Sequence, residues 1–465
     1  MVTNTAEAVA PGTHNCVIAP HLKNEIAGAV GSRYSRMFPD LPSPIAPEEA
    51  LLALGRSGAV IDDRKEDDAG DNSCIPAGWP FFGQFIAHDI TADRSAISHH
   101  ASVDRLTNFR TPRLDLEAVY ASGPIGSPYL YDLRDADKFL LGVNDAGRPD
   151  DVPRNSQGRA LTGDPRNDVH QLISQLHLAI LKFHNGVVDW LRERGTPAAD
   201  VFGEAQRLVR WHYQWIVVHE FLPLTIGQEL VDDILAYGPR YYRAGARPYI
   251  PVEFSDAAYR YGHSQIRARY HLNATASGSV FPECAGACPV AAGRVLDWRY
   301  YFDVDSQQAP QPTRRIDARL VHSLIALPPA VVGETEIPEH HSLAVRDLLR
   351  GRALDLPSGE AIAREMGVVS LTAEELRLVQ VYAPWRGETP LWYYILKESE
   401  VRQDGQRLGT IGGRIVGEVL LGLISADPAA YLAEQGWVPT LPAVQKNTFT
   451  MADLLRFASV TTRSS

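Results

Sequence analysis

The sequence predicts a mainly α-helical fold built as one large domain with very little β-structure. Apolar residues recur at helical spacing along most of the chain, whereas strand patterns are few and short. Hydrophobic residues make up 45% of the 465 residues, enough to bury a large core. Most of the 32 prolines and 36 glycines fall between the helical segments, as loops joining many helices require. With no internal repeat or long linker, we predict an N-terminal arm at 1–24 and one domain over 25–465.

Composition limits the classes of partner. The formal net charge of −11 argues against nucleic acid as the main partner. The N-terminus lacks the basic start and continuous apolar run of a secretory signal, and no segment is apolar for long enough to span a bilayer. Four cysteines are too few for a disulfide framework. We therefore expect a cytoplasmic protein with no integral membrane segment.

The first informative element is a predicted helix at 80–89. Its apolar residues surround two polar ones, Gln84 and His88, which are four residues apart and so share one helix face. Taken alone, His88 is more simply explained as a core histidine with satisfied hydrogen bonds. The apolar residues are Phe81, Phe82, Phe85 and Ile86.

A longer helix is predicted to start at GDPR, residues 163–166. Asp164 can cap it, Pro165 suits its first position, and an apolar stripe follows. That stripe consists of Val169, Leu172, Ile173, Leu176 and Ile180. Further helices are predicted at 204–222, 254–269, 342–352, 372–379 and 407–424.

The segment PFFGQFIAHDIT resembles the distal-helix motif of the animal haem peroxidase family. Four more blocks carry the same resemblance in the family's order, so that the likeness spans residues 83–359. It implies a bacterial-type member of that superfamily, with haem b held between a distal and a proximal helix. The blocks are RTPRLDLEAVYA (110–121), GDPRNDVHQLISQLHLAILKFHN (163–185), YRYGHSQI (259–266) and DLLRGRALDLPSG (347–359).

The resemblance assigns His88, Arg166 and Gln84 to the distal, catalytic side. Cleaving hydrogen peroxide requires a base that takes a proton from one oxygen and returns it to the other, and an imidazole with a pKa of about 6.5 can do both. A permanently charged guanidinium suits the charge that develops on the departing oxygen. Alone, Arg166 would be expected to form a surface ion pair at a helix start. The family's counterpart of Gln84 holds water or a halide.

On the proximal side, the resemblance makes His263 the axial ligand of the haem iron. Arg260 and Arg350 match family arginines that contact the haem propionates. Asp347 occupies a position where the family usually has an asparagine that accepts a hydrogen bond from the axial histidine. Two interpretations stay open here: Asp347 contacts His263, or it pairs with Arg350 on a helix surface.

A calcium site is also implied by the resemblance. Its ligands would be the side chains of Asp89, Thr111, Asp115 and Glu117 and the carbonyl of Arg113, all oxygen donors of the kind that calcium prefers. Without the resemblance, the segment TPRLDLE would be an ordinary turn running into a helix.

The sequence departs from the vertebrate members at the two residues that form ester bonds to the haem. Those positions are Ala87 and Val169 here, and neither side chain can form an ester. We therefore expect non-covalent haem. Chloride oxidation becomes doubtful, whereas bromide, iodide, thiocyanate and phenols stay open as donors.

The expected function is oxidation of a small donor by hydrogen peroxide through ferryl intermediates. One alternative is a fatty-acid dioxygenase of the same superfamily, although the radical-forming tyrosine of those enzymes is replaced by Arg260, with tyrosines at 259 and 261. Another is a non-catalytic haem or calcium-dependent interaction protein. The presence of both His88 and Arg166 argues against it, because neither residue is needed merely to hold haem.

Overall fold

The computed structural model describes residues 32–44, 46–65, 67–92, 103, 106–245, 248–333, 335, 337–385 and 387–461. These residues form a mainly helical structure with short strands, which confirms the predicted fold class. The predicted arm at 1–24 lies outside the described residues, so its boundary stays a prediction. Among the described residues, no helix combines the length and apolar composition needed to cross a membrane.

Helices account for most of the regular structure. In chain order they are α1 (Glu48–Gly55), α2 (Trp79–Ile90), α3 (Glu117–Tyr120), α4 (Gly123–Gly126), α5 (Gln171–Glu193), α6 (Val201–Ile216), α7 (Leu222–Ile226), α8 (Gln228–Tyr237), α9 (Val252–Ser255), α10 (His322–Ile325), α11 (Pro329–Val332), α12 (Leu343–Ala353), α13 (Gly359–Met366), α14 (Ala373–Leu376), α15 (Leu378–Val381), α16 (Leu391–Gln403), α17 (Thr410–Ala426) and α18 (Met451–Phe457).

The strands are short and pair locally or across long distances in the chain. β1 pairs antiparallel with β4 and parallel with β5, and the other strands pair as β2–β9, β3–β8 and β6–β7. Their bounds are β1 (Ser32–Ser35), β2 (Asp62–Asp63), β3 (Asp71–Pro76), β4 (Thr107–Asn108), β5 (Ile250–Pro251), β6 (Tyr270–His271), β7 (Ser277–Gly278), β8 (Pro312–Arg314) and β9 (Leu320–Val321).

The core is one connected cluster of buried apolar side chains that extends from Tyr34 to Ala458. α5 packs against α2 and α6, and α17 packs against α8 and α16. The sequence did not predict α16, because its residues Leu391–Ser399 are all buried. A helix buried on every side lacks the polar face that makes a helical period visible.

Several predicted helices are confirmed, among them α2, α12 and α17. The helix predicted at 204–222 is α6, continued through a single π-helical turn at Val217–Phe221 into α7. The prediction at 372–379 is wrong in one respect: Arg377 adopts a left-handed conformation with φ of 57° and separates α14 from α15.

The helix predicted at 254–269 is wrong. α9 ends at Ser255, and after a break at Ala257 the chain forms a 3₁₀ turn over Ala258–His263, beyond which residues 264–269 are not helical. His263 and Arg260 therefore lie on a tight 3₁₀ turn and not on a regular α-helix.

The predicted helix start at GDPR is also corrected. Asp164 caps a short 3₁₀ turn at Pro165–Asp168, and α5 begins only at Gln171, with His170 as its cap. The reason is tertiary: the carbonyls of Asp168 and Val169 accept hydrogen bonds from the backbone of residues 286–287. This cross-link holds the turn apart from α5, so Val169 does not belong to the predicted stripe.

Candidate active site

A cavity lies between α2 and the 3₁₀ turn at Ala258–His263. His88 and His263 both line it, from different elements, as do Gln84, Arg166 and Arg260. Residues as far apart in the sequence as Gln84 and His263 thus line one cavity.

His88 projects from α2 and is 1% exposed. Its Nδ1 lies 2.8 Å from Oδ1 of Asn167, in the turn that carries Arg166. Burial, followed by the nearby positive charge of Arg166, lowers the pKa of His88 to about 3. The imidazole is therefore neutral at neutral pH, as a proton acceptor must be. Asn167 was not identified from the sequence, although it directly follows Arg166.

Arg166 is held at the cavity wall by Asp164. Its Nε and Nη2 donate to the Asp164 carboxylate at 3.0 and 2.8 Å, and Nη2 also donates to the carbonyl of His88. Burial alone would raise the pKa of Asp164, but the charges of Arg166 and Arg110 hold it well below its ordinary value. The ion pair expected for a helix-start arginine does exist, but at the wall of the cavity and not at the surface.

Gln84 has a partner that the sequence did not reveal. Nε2 of His170 lies 2.9 Å from Oε1 of Gln84, while Nδ1 of His170 accepts from the backbone N–H of Ile173. His170 also lines the cavity. The available signal was the seven-residue spacing of His170, His177 and His184, which places His177 and His184 on one side of α5 and His170 at its N-terminal end.

Asp347 joins two of the predicted proximal residues. Its Oδ2 lies 2.6 Å from Nδ1 of His263, and its Oδ1 accepts from Nη1 of Arg260 at 2.7 Å. Burial would raise the pKa of Asp347, but the charges of His263 and Arg260 outweigh it and lower the pKa. Of the two interpretations left open by the sequence, contact with His263 is confirmed and pairing with Arg350 is wrong.

The two arginines predicted to contact the haem propionates both bind buried carboxylates, and their role towards a haem stays a prediction. Arg350 is fully buried, donates to Asp256 at 3.0 Å, and is not among the described residues that line the cavity. Burial lowers its pKa to about 10. Arg260 lines the cavity but binds both Asp256 and Asp347. Arg346, a residue that the sequence analysis overlooked, lines the cavity near Asp347.

The donor set fits a haem. Because the Asp347 carboxylate can only accept a hydrogen bond, Nδ1 of His263 carries a proton and Nε2 is the nitrogen suited to bind iron. Apolar and aromatic side chains form much of the remaining wall, as a porphyrin requires, including Phe81, Tyr259 and Phe281.

The predicted calcium ligands lie close together around α2 and α3. Thr111 Oγ1 lies 3.1 Å from Asp115 Oδ2 and 3.0 Å from Glu117 Oε2, and Asp89 accepts from the backbone N–H of Leu116. Burial raises the pKa of Asp89 and that of Asp115, the latter to about 6. Over the part of the chain that the structure describes, however, no three His, Cys, Asp or Glu side chains are placed to hold one metal ion.

Comparison with known proteins shows similarity to one family. The family model named "Animal haem peroxidase" matches residues 94–284, a range that includes Arg166 and His263 and begins just after His88. The chorion peroxidase of Drosophila melanogaster is 27% identical over 372 residues, which cover 74% of this chain and 44% of that protein. Human thyroid peroxidase is 26% identical over 224 residues, or 43% of this chain and 23% of that protein. The chain thus spans less than half the length of these relatives.

Solved structures agree on the fold. Peroxidase A from Dictyostelium discoideum superposes with a TM-score of 0.63 at 16% identity, covering 87% of this chain and 89% of that one. A fatty acid alpha-dioxygenase from Oryza sativa superposes with a TM-score of 0.58 at 13% identity, covering 98% and 85%. At these identities the superpositions show a shared fold, which peroxidases and dioxygenases have in common.

Proposed function

We propose that the chain is a member of the animal haem peroxidase superfamily, which its similarities support, and that it binds haem b and uses hydrogen peroxide to oxidise a small donor. One observation carries the proposal: His88 and His263 line the same cavity, each with its Nδ1 held by a different acceptor. That arrangement supplies one imidazole to bind iron and another to move a proton.

A bound haem supplies the redox-active iron, and the protein supplies the proton transfers and the positioning. Nε2 of His88 takes the proton from one oxygen of hydrogen peroxide and returns it to the departing oxygen, which leaves as water. Arg166 presents positive charge from the same wall. Asp347 orients His263 and makes its imidazole a stronger electron donor.

The proposal is tested by adding hydrogen peroxide to the haem-loaded protein in a stopped-flow spectrophotometer. His88→Ala should slow the reaction by about 10²–10⁴-fold, the usual contribution of a general acid–base residue. His340→Ala is the control, because His340 lies outside the cavity lining. Equal, slow spectral changes in wild type and His88→Ala would refute peroxide cleavage by this site.

The donor is proposed to be a phenol-like compound or a halide such as bromide, iodide or thiocyanate. Haem should be non-covalent, because Ala87 lines the cavity without a carboxylate and Val169 lacks one as well. Acidified organic solvent should then extract all of the haem. Haem that stays with the protein would contradict non-covalent binding. Comparing the rates of peroxide-dependent oxidation of halides and of phenols identifies the preferred donor.

The dioxygenase alternative receives less support. In that group a tyrosine stands three residues before the axial histidine, whereas Arg260 stands there in this chain and is fixed by two carboxylates. A non-catalytic haem protein would have no use for the buried His88–Asn167 contact. Oxygen uptake with a fatty acid but without peroxide would favour the dioxygenase.

We further propose a calcium ion at Asp89, Thr111, Arg113, Asp115 and Glu117. Support comes from the fully buried Asp89 and the half-buried Asp115 beside it, since a divalent cation would offset the cost of holding two carboxylates close together there. Chelation should lower the melting temperature and broaden the haem absorbance. Asp115→Asn should remove that response, whereas the exposed control Asp200→Asn should keep it. If exhaustive chelation changes neither the melting temperature nor the haem absorbance of the wild type, the proposed calcium site is contradicted.

A further inference from the structure

Three buried side chains form a row behind the distal imidazole. Nδ1 of His88 lies 2.8 Å from Oδ1 of Asn167, and Nδ2 of Asn167 lies 3.1 Å from Nδ1 of His177. All three residues are 1% exposed or less. They come from three elements: α2, the turn at Pro165–Asp168 and α5.

The chemistry of the amide determines where the protons lie. An amide oxygen only accepts and an amide nitrogen only donates. With Oδ1 of Asn167 towards His88, the proton of His88 is on Nδ1, and the lone pair is on Nε2. With Nδ2 towards His177, Nδ1 of His177 is the acceptor.

A reversed amide would have the opposite effect. Nδ2 of Asn167 would then donate to Nδ1 of His88, and the proton of His88 would move to Nε2. An Nε2 that already carries a proton cannot take one from a bound reactant. A His177 whose Nδ1 carries no proton can accept only from Nδ2 of Asn167, and so favours the amide orientation that makes His88 a base.

Both histidines exist as neutral tautomers and not as cations at neutral pH. Burial, followed by the charge of Arg166, lowers the pKa of His88 to about 3, and burial lowers that of His177 to about 4. The charged and titratable groups that face His88 are Arg166, Asp164 and His170, and Asp164 also acts on His177.

We propose that Asn167 and His177 are positioning residues that hold the proton of His88 on Nδ1 and so keep Nε2 as a proton acceptor in the cavity. The functional role of this proton position rests on the proposed peroxide chemistry. The position of the proton itself does not depend on that chemistry and can be measured separately.

The direct measurement is the ¹⁵N chemical shift of the His88 ring nitrogens in the haem-free full chain, labelled at histidine. His88→Gln identifies the signals. Wild type should show a protonated Nδ1 and an unprotonated Nε2. Asn167→Leu, which keeps the bulk but removes the amide, should mix the two tautomers. A protonated Nε2 in the wild type would overturn the proposal.

Conservative and matched variants separate positioning from packing. Asn167→Asp keeps an acceptor for Nδ1, so the tautomer should be retained. His177→Phe should shift part of the His88 population to the Nε2–H tautomer. His184→Phe is the matched control: His184 is equally buried on α5 but binds Tyr120 and the carbonyl of Asp137. It should leave the His88 signals unchanged, and equal effects of His177→Phe and His184→Phe would overturn the role of His177.

The second measurement is the pH dependence of the peroxide reaction in the haem-loaded protein. Asn167→Leu should slow it by about tenfold to a hundredfold, part of the usual contribution of an acid–base residue. Asn167→Asp should react within about tenfold of wild type, with its acid limb at a higher pH because a carboxylate raises an imidazole pKa. An Asn167→Leu protein with the rate and pH profile of wild type would overturn the inference. If the wild type neither holds haem nor consumes peroxide, the proposed function fails, while the ¹⁵N result still decides the tautomer.

Discussion

At the scale of single residues, each wall of the cavity depends on one buried carboxylate. Asp164 holds Arg166 on the distal wall, and Asp347 holds His263 and Arg260 on the proximal one. Removing one partner of a buried ion pair leaves the other charge without compensation, at a cost of about 3–5 kcal/mol. Each carboxylate thus fixes a cationic or ligating group that faces the same space.

The proximal contact predicts the effect of Asp347→Asn. An amide accepts the hydrogen bond more weakly than a carboxylate, so His263 should donate less electron density and the iron reduction potential should rise. Asp256→Asn is the control, because Asp256 also binds Arg260 but does not contact His263. Spectroelectrochemical titration gives both potentials. An unchanged potential in Asp347→Asn would contradict electronic control by this carboxylate.

The burial of His88 predicts an unusual pH profile. Because its pKa is about 3, the imidazole stays neutral well below the ordinary value of about 6.5. The second-order rate constant for peroxide should stay constant within about twofold from pH 7 down to about 4.5. Stopped-flow rates give the profile, and the haem absorbance confirms an intact pocket. A half-loss of rate near pH 6.5 would mean that His88 titrates like an exposed histidine.

At the scale of elements, the sequence predicted helices whose apolar period is local and missed elements whose limits are set by distant contacts. α2 was predictable because its period is local. The turn at Pro165–Asp168 was not, because the backbone of residues 284–287 separates it from α5. The break after α9 follows Asp256, whose side chain binds Arg260 and Arg350. Arg350 is 94 residues away in the sequence, so this contact leaves no local signal.

The candidate site shows the same difference between residues found from local motifs and residues that depend on distant contacts. His88, Arg166 and His263 were placed through motifs, and Asp347 through one departure from a motif. Asn167, His170 and Arg346 were missed because their importance depends on which side chain each one faces. Periodicity assigns a residue to a helix face but does not reveal its partner across the core.

Alanine substitutions at two helix glycines should change the free energy of unfolding in opposite directions. A Cβ at Gly359, the first residue of α13, would overlap the ring of Tyr394, whereas a Cβ at Gly203 in α6 would meet nothing within 4 Å. Gly359→Ala should destabilise the protein by about 1–3 kcal/mol. Gly203→Ala should stabilise it by about 0.5–1 kcal/mol, since alanine favours the helix. Urea unfolding measures both, and equal effects would contradict the packing of α13 on Tyr394.

At the scale of the whole molecule, the cavity is assembled from distant parts of the chain. Its lining runs from Pro80 to Arg346 and includes α2, the turn at Ala258–His263 and α12. A ligand there contacts all of them at once, so its binding energy adds to the stability of the whole fold.

Haem loading should therefore raise the melting temperature. At a free haem concentration of about 100 times the Kd, the gain is about 2.7 kcal/mol. Hydrogen exchange should slow in α2 and in residues 258–263 together. His263→Ala should reduce the gain. Haem that binds by absorbance without raising the melting temperature of the wild type would indicate adsorption outside the cavity.

The three-stranded sheet formed by β4, β1 and β5 also has a consequence for biosynthesis. β1 is made early, yet its parallel partner, Ile250–Pro251, leaves the ribosome only about two hundred residues later. Until then, the edge of β1 that will carry β5 is open to other strands. The growing chain must leave that edge unpaired while the residues between the two strands are made, so the parallel pairing of β1 cannot form during synthesis until β5 has emerged.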